Sequence, residues 1–367
     1  MDLHARPALL VNGEGTGDGM NELAARAKGR GEVRRAIIAV YALLAAGNIA
    51  AWAWALVVFA DQPLALGSAF VAYSFGLRHA VDADHIAAID NVTRKLVHEG
   101  GRPVTTGLYF SIGHSTVVCL AAAVIAATTP ALIERYQGLQ SLGGIIGMVV
   151  SSAFLIVIGG INLVVLVGLW RTYRRVRAGG AYEDADLDAL LAGRGFLTRL
   201  LRPLFGLISR SWHMLPLGFL FGLGFDTATE VSVLGLSATE AARGVSIWSI
   251  MIFPALFAAG MTLIDTTDGV LMLGAYEWAY VTPLRKLRYN LVITGISVVV
   301  ALVIGMLEAI NLIGDRLGGG GAFFQAIGWV NDSFTSIGIG VIGFLLAGWA
   351  LSVALDRRSA AQAAISE

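Results

Sequence analysis

Eight blocks of about twenty or more mainly apolar residues divide this chain: 36–60, 64–89, 104–127, 142–170, 212–238, 244–264, 289–313 and 333–355. Inside the blocks the apolar residues run on rather than recurring at the 3.6-residue spacing of a half-exposed helix or alternating as in a strand. About 20 helical residues cross the hydrocarbon core of a bilayer, so the pattern predicts an all-α, polytopic integral membrane protein with eight transmembrane helices. The Asp61-Gln62-Pro63 connection is so short that the first two spans must form a tight hairpin. One long polar interruption, 171–210, is acidic in its middle and basic at its ends, and reads as a soluble loop. The expected organisation is a flexible Gly- and Arg-rich tail at 1–35, a membrane domain at 36–355 and a short tail at 356–367.

The placement of Lys and Arg predicts the orientation. With both termini on one side of an eight-span protein, that side's segments hold 22 of the 26 basic residues, against three (Arg135, Arg243 and Arg316) on the other side. Basic residues are retained on the cytoplasmic face, so both termini and the long loop are expected there, in a multi-pass protein of the cytoplasmic (inner) membrane. Composition agrees: 56% of the residues are hydrophobic and 14% charged, which leaves little polar surface for a water-soluble fold. The formal net charge is zero, which gives no electrostatic case for a nucleic-acid partner. The lone Cys119 excludes an internal disulfide framework and a thiolate metal cage.

Against this background the segment Arg78-His79-Ala80-Val81-Asp82-Ala83-Asp84-His85 stands out, with five ionisable side chains in eight residues of an apolar block. An Asp or Arg at the centre of an inserted helix costs roughly 2.5–3.5 kcal/mol, so these groups must face protein, water or an ion. Imidazoles and carboxylates together are ligands for a borderline divalent metal. On an ideal helix His79, Asp82 and His85 are about 60° apart in succession and share one face, whereas Asp84 points elsewhere and a local distortion is needed to gather all four. Asp90 returns to that face nearer the cytoplasm. The alternative is a structural network in which Arg78 pairs with Asp82 or Asp84; a guanidinium is a partner for carboxylates and not a metal ligand.

Other blocks place polar groups at a similar depth. His114, followed by Ser115, lies about ten residues into the third span, and Asp226-Thr227-Ala228-Thr229-Glu230 puts two carboxylates at i and i+4 near the middle of the fifth. Two such acids repel unless protonated or bridged by a cation, which marks them as cation or proton carriers. Asp265 and Asp268 fall near the expected cytoplasmic end of the sixth span, as an exit site, as caps of a following helix, or as partners of Arg285 and Lys286. Asn48 faces the second span across the hairpin. The metal candidates are thus His79, Asp82, Asp84, His85, His114, Asp226 and Glu230, with Asn48, Arg78, Asp90, Ser115, Thr227, Thr229, Asp265 and Asp268 around them or along a path.

Four strings in order resemble the nickel/cobalt transporter family of eight-span secondary permeases: Arg78 to Ile86, Gly113-His114-Ser115-Thr116-Val117-Val118, Leu223 to Glu230, and Gly260-Met261 through Asp265-Thr266-Thr267-Asp268-Gly269. The resemblance implies high-affinity uptake of Ni2+ or Co2+, the metal being cargo and no cofactor being held, and it links metal recognition to His79, Asp84 and His85. It stresses Asp84 where the ideal helix favours Asp82. A Walker-type Gly-Lys-Ser/Thr string is absent, so neither an ATPase nor an ATPase subunit is implied. The His-x4-Asp spacing of His79 and Asp84 also matches membrane acyltransferases, and an intramembrane zinc enzyme would use the same residue types. The acyltransferase pattern accounts for neither His85 nor the acids of the fifth span, and a zinc enzyme would need an evident general base and an open ligand position.

Overall fold

A break three residues long in the second apolar block organises the molecule. The computed structural model describes residues 15–127, 130–178, 208–224, 228–279, 283–317, 321–333, 336–340 and 343. The chain forms two compact units, 1–43 and 44–367, with the first helix, α1 (Gly15–Val58), running through the boundary. Helix already covers 15–35 of the stretch expected as a tail. Among the described residues the longer helices that follow are α2 (Pro63–His79), α3 (Ala83–His98), α4 (Thr106–Ala127), α5 (Pro130–Arg177), α6 (Met214–Gly222), α7 (Ala228–Ala242), α8 (Ile252–Ala279), α9 (Pro283–Leu317) and α10 (Ala322–Asp332). No strand occurs among the described residues.

Five stretches are long and apolar enough to cross a membrane: Gly31–Val58, Thr106–Ala127, Ile145–Arg175, Ile247–Ala275 and Thr294–Gly314. Two other expected spans are not continuous helices. The second block divides into α2 and α3, and the fifth into α6 and α7. Most of the eighth lies outside the described residues. Large apolar side chains such as Leu64 (87% exposed), Val57 (77%) and Trp248 (74%) point outward, as a protein solvated by lipid requires.

The hairpin after α1 closes with the Gln62 amide donating to the Phe59 carbonyl at 2.9 Å, and Pro63 starts α2 at a position whose amide has no helical acceptor anyway. α2 ends when the chain tightens, Asp82 N to His79 O at 2.9 Å, and then extends at Asp82 (ψ 145°) before α3 begins. Asp82 stands at the N-cap of α3, but its side chain does not cap that helix.

Two glycine crossings bring the broken helices against long ones. A Cβ on Gly76 of α2 would lie 2.1 Å from the Phe257 carbonyl oxygen of α8, and one on Gly260 would lie 2.8 Å from that of Tyr73. The α6–α4 crossing repeats this: Gly218 meets the Phe110 carbonyl oxygen at 2.0 Å, and Gly113 that of Leu215 at 2.0 Å. Glycine permits such close backbone approach between helices in a membrane. A third contact, Gly107 of α4 against the Asp265 carbonyl oxygen at 2.0 Å, draws the middle of α8 onto α4. α3, buried along most of 85–94, lies among α4, α5, α8 and α9.

Candidate metal centre

His79 ends α2, His85 lies in the first turn of α3, and His114 sits one residue past the Gly113 crossing on α4. The three side chains are almost wholly buried (1%, 0% and 3% exposed), and each can offer a ligand atom within 4.8 Å of the others. Ring centroids are 4.6 Å apart for His79 and His85, and 4.8 Å for each of these with His114. The break makes this possible: it turns α3 so that His85 comes back beside His79. This corrects the expectation of one continuous helix with His79, Asp82 and His85 along a single face.

Carboxylates complete the cluster. Glu230, in the first turn of α7 and 1% exposed, places Oε1 2.7 Å from His114 Nε2 and 3.9 Å from His79 Nε2, and those two nitrogens are 3.0 Å apart. Two ligands at right angles around an ion with bonds of about 2.1 Å are separated by about 3.0 Å, so the 2.7 and 3.0 Å separations are those of neighbouring positions in a coordination shell, and 3.9 Å is that of a wider angle. Asp82 Oδ2 is 3.2 Å from His79 Nδ1, and Thr229 Oγ1 reaches the same nitrogen at 3.2 Å. Asp265 holds His85: both carboxylate oxygens are 3.3 Å from Nδ1, and Ser111 donates to Oδ2 at 2.5 Å. A ring that gives Nδ1–H to a carboxylate presents its Nε2 lone pair elsewhere, the orientation found in metal-bound histidines. His85 Nε2 is buried and has no hydrogen-bond partner among the described residues. Such an orphan is costly unless an ion fills the place.

The field around the cluster is set by helix ends. α3 and α7 both begin here, and a helix N-terminus carries about half a positive charge, which opposes a cation. Asp84 and Glu230 stand in those first turns and offset it. Phe110 packs edge-on against His85 with centroids 4.9 Å apart, and Phe257 lies 5.5 Å from His79, which keeps water and its dielectric screening away.

The other expected positions divide clearly. Among the described residues Asp84, half-buried, has one oxygen without a partner, and the buried Ser115 hydroxyl has none either. Asn48 accepts from Tyr73 Oη at 2.9 Å and donates to the Leu44 carbonyl, joining α1 to α2 as the hairpin suggests. Asp90 is not in the cluster; it accepts from Ser297 of α9 at 2.7 Å. Asp265 and Asp268 are interior residues of the continuous α8, 0% and 5% exposed, and not the caps of a new helix. The Arg285 and Lys286 side chains, and all of Asp226 and Thr227, lie outside the described residues. Arg78 is exposed and among the described residues pairs with no carboxylate, so the alternative network built on a salt bridge to Asp82 or Asp84 finds no support there; Asp82 turns to His79 instead. Sequence reasoning missed Ser111, and it missed the Asn91 cluster, in which Arg94 donates to Asn91 at 3.1 Å and Asn162 of α5 also bonds Asn91. Buried Glu308, bonded by Ser151 at 2.8 Å, was missed too. A lone Ser or Asn in an apolar block carries no pattern, whereas Glu308 is an acid inside a span and could have been found by the cost of burying it.

The chain matches known proteins over most of its length. The profile of the family described as High-affinity nickel-transport protein covers residues 65–355. The chain is 53% identical to the High-affinity nickel transport protein of Cupriavidus necator over 90% of this chain and 95% of the relative. It is 54% identical to the Hydrogenase nickel incorporation protein HupN of Bradyrhizobium diazoefficiens, over 86% and 82% of the two chains, and 42% identical to the Cobalt transport protein NhlF of Rhodococcus rhodochrous, over 77% and 80%. No solved structure matches.

Proposed function

Because this chain belongs to the family of high-affinity nickel-transport proteins, we propose that it is a secondary permease for Ni2+ or Co2+ whose ion is gripped between His79, His85, His114 and Glu230. The observation that carries the ligand assignment is the buried three-imidazole cluster with its orphaned His85 Nε2. Imidazole and carboxylate donors suit nickel and cobalt: strong enough to replace a hydration shell, and less retentive than thiolates. Asp82 and Asp265 orient His79 and His85. Asp84, in the first turn of α3, stands near the bound ion, Asp226 is a further carboxylate of the fifth apolar block, and Asp268 and Asp90 extend the polar path along α3 toward the cytoplasm.

The transport reading accommodates eight spans, two of them broken, across the cytoplasmic (inner) membrane, with both termini and the 171–210 loop in the cytoplasm. The distribution of Lys and Arg supports that orientation. In this orientation α2 enters from outside and α6 from the cytoplasm, and the first turns of α3 and α7, which follow them, bring His85 and Glu230 to the ion, the arrangement of inverted repeats around a midplane site. Two charges moving inward gain about 4.6 kcal/mol per 100 mV, enough to drive accumulation without a nucleotide. The family and the relatives are transport proteins rather than enzymes, and the acyltransferase alternative has no support from the geometry: the carboxylate on His79 Nδ1 is Asp82, not Asp84.

The test is uptake of labelled Ni2+ and Co2+ by cells making the protein, with Zn2+ and Mn2+ as competitors and the membrane potential collapsed in a parallel sample. Voltage-dependent accumulation at submicromolar metal is expected. Absence of uptake by correctly inserted protein would overturn the reading.

A further inference from the structure

The two glycine crossings are equivalent residue by residue. On α4 the sequence Phe110-Ser111-Ile112-Gly113 meets α6, and on α8 Phe257-Ala258-Ala259-Gly260 meets α2. In each, the phenylalanine carbonyl touches a glycine of the broken helix (Gly218, Gly76), and the glycine of the long helix touches the carbonyl three residues before that glycine and the amide one residue after it (Leu215 and Phe219; Tyr73 and Leu77). His114 follows Gly113. Met261 follows Gly260, so Met261 holds on α8 the place that His114 holds on α4.

An independent line leads to the same residue. Phe257, Met261 and Asp265 are successive fours on α8, about 40° apart on the helix surface, so Met261 bisects the face between the other two. The Phe257 ring lies 5.5 Å from that of His79, tilted by 36°, and Asp265 is 3.3 Å from His85 Nδ1. Those two rings are themselves 4.6 Å apart. Met261 is 0% exposed and belongs to the same buried cluster as Phe257 and Ala80.

We propose that the Met261 thioether faces the captured ion and sets the preference for nickel and cobalt over harder divalent ions. The inference rests on the transport reading above. A neutral sulfur is a poor donor for Mn2+ or Mg2+ and an acceptable one for Ni2+ or Co2+, so it penalises the hard ions without holding the soft ones as a thiolate would. It also adds no charge to a site that already holds several carboxylates.

The experiment uses the purified full-length protein and Met261→Leu, which nearly preserves side-chain volume. Nickel X-ray absorption of the wild type should contain one sulfur scatterer at about 2.3–2.5 Å, lost in Met261→Leu. In cells, Met261→Leu should keep taking up Ni2+ while becoming about tenfold more sensitive to competition by Mn2+. A wild-type shell of nitrogen and oxygen alone, or unchanged Mn2+ competition in well-folded Met261→Leu, would overturn the assignment of Met261 and leave the transport reading standing. Wild-type protein that is folded and neither binds nor takes up nickel would overturn both.

Discussion

Around the site, α2, α3 and α4 deliver His79, His85 and His114, whereas α7 and α8 deliver Glu230 to His114 and Asp265 to His85. Two pairs of these backbones cross at glycines in the same register, α2 on α8 at Gly76 and Phe257, and α6, which leads into α7, on α4 at Gly218 and Phe110. One packing scheme is therefore used twice with different chemistry: the α2–α8 crossing carries His79 and Asp265, and the α6–α4 crossing carries His114. The packing tolerates this because a glycine crossing constrains backbone distance and says nothing about the side chain one residue later. A cation between the two sets of side chains is attracted by both, and any motion that separates them must break bonds to it.

The largest effects should follow the division of labour. His79→Ala, His85→Ala and His114→Ala each remove a donor and should reduce labelled Ni2+ uptake more than about 100-fold, whereas Asp265→Asn should cost about 10–100-fold by releasing the orientation of His85. Uptake is normalised to monodisperse protein in detergent. Asp265→Asn as damaging as the three histidine variants would erase the distinction between donor and orienting group.

The equivalence of the crossings predicts a smaller, paired effect on stability. Gly76→Val and Gly113→Val both drive a side chain into a backbone carbonyl and should each cost roughly 1–3 kcal/mol, read as a lowered Tm of solubilised protein. Gly67→Ala, with nothing within 4 Å, should change Tm little. A drop at only one crossing would break the comparison.

The smallest effect belongs to Arg78. Its side chain is exposed, so Arg78→Ala should alter stability by no more than about 0.5 kcal/mol. Marked loss of folded protein would mean that it neutralises a carboxylate of the cluster after all, and would tie the outside of α2 to the site.

Much of the site was legible because burying charge in a membrane is expensive. His79, Asp82, Asp84 and His85 announce themselves inside an apolar block, and so do Glu230 and His114. The part played by Asp265 was not legible. Its distance from His85 along the chain is 180 residues, and the contact exists only because Gly107 lets α8 approach α4 and Ser111 fixes the carboxylate. Asp82 was placed beside His79 by an ideal helix, and it is beside His79 because the helix stops. The same contact arose from a different backbone, and the helical wheel misplaced His85 for that reason.

The sequence by itself determined the class of protein, its apolar blocks and the donor types at their centres, since hydrophobicity and the cost of buried charge are properties of each residue and its neighbours. Tertiary structure alone decided that α2 and α3 are separate helices, that imidazoles from three helices converge, and which carboxylate orients which ring. Those outcomes depend on where backbones can approach, and a glycine's consequence for packing is realised only when the partner helix is in place.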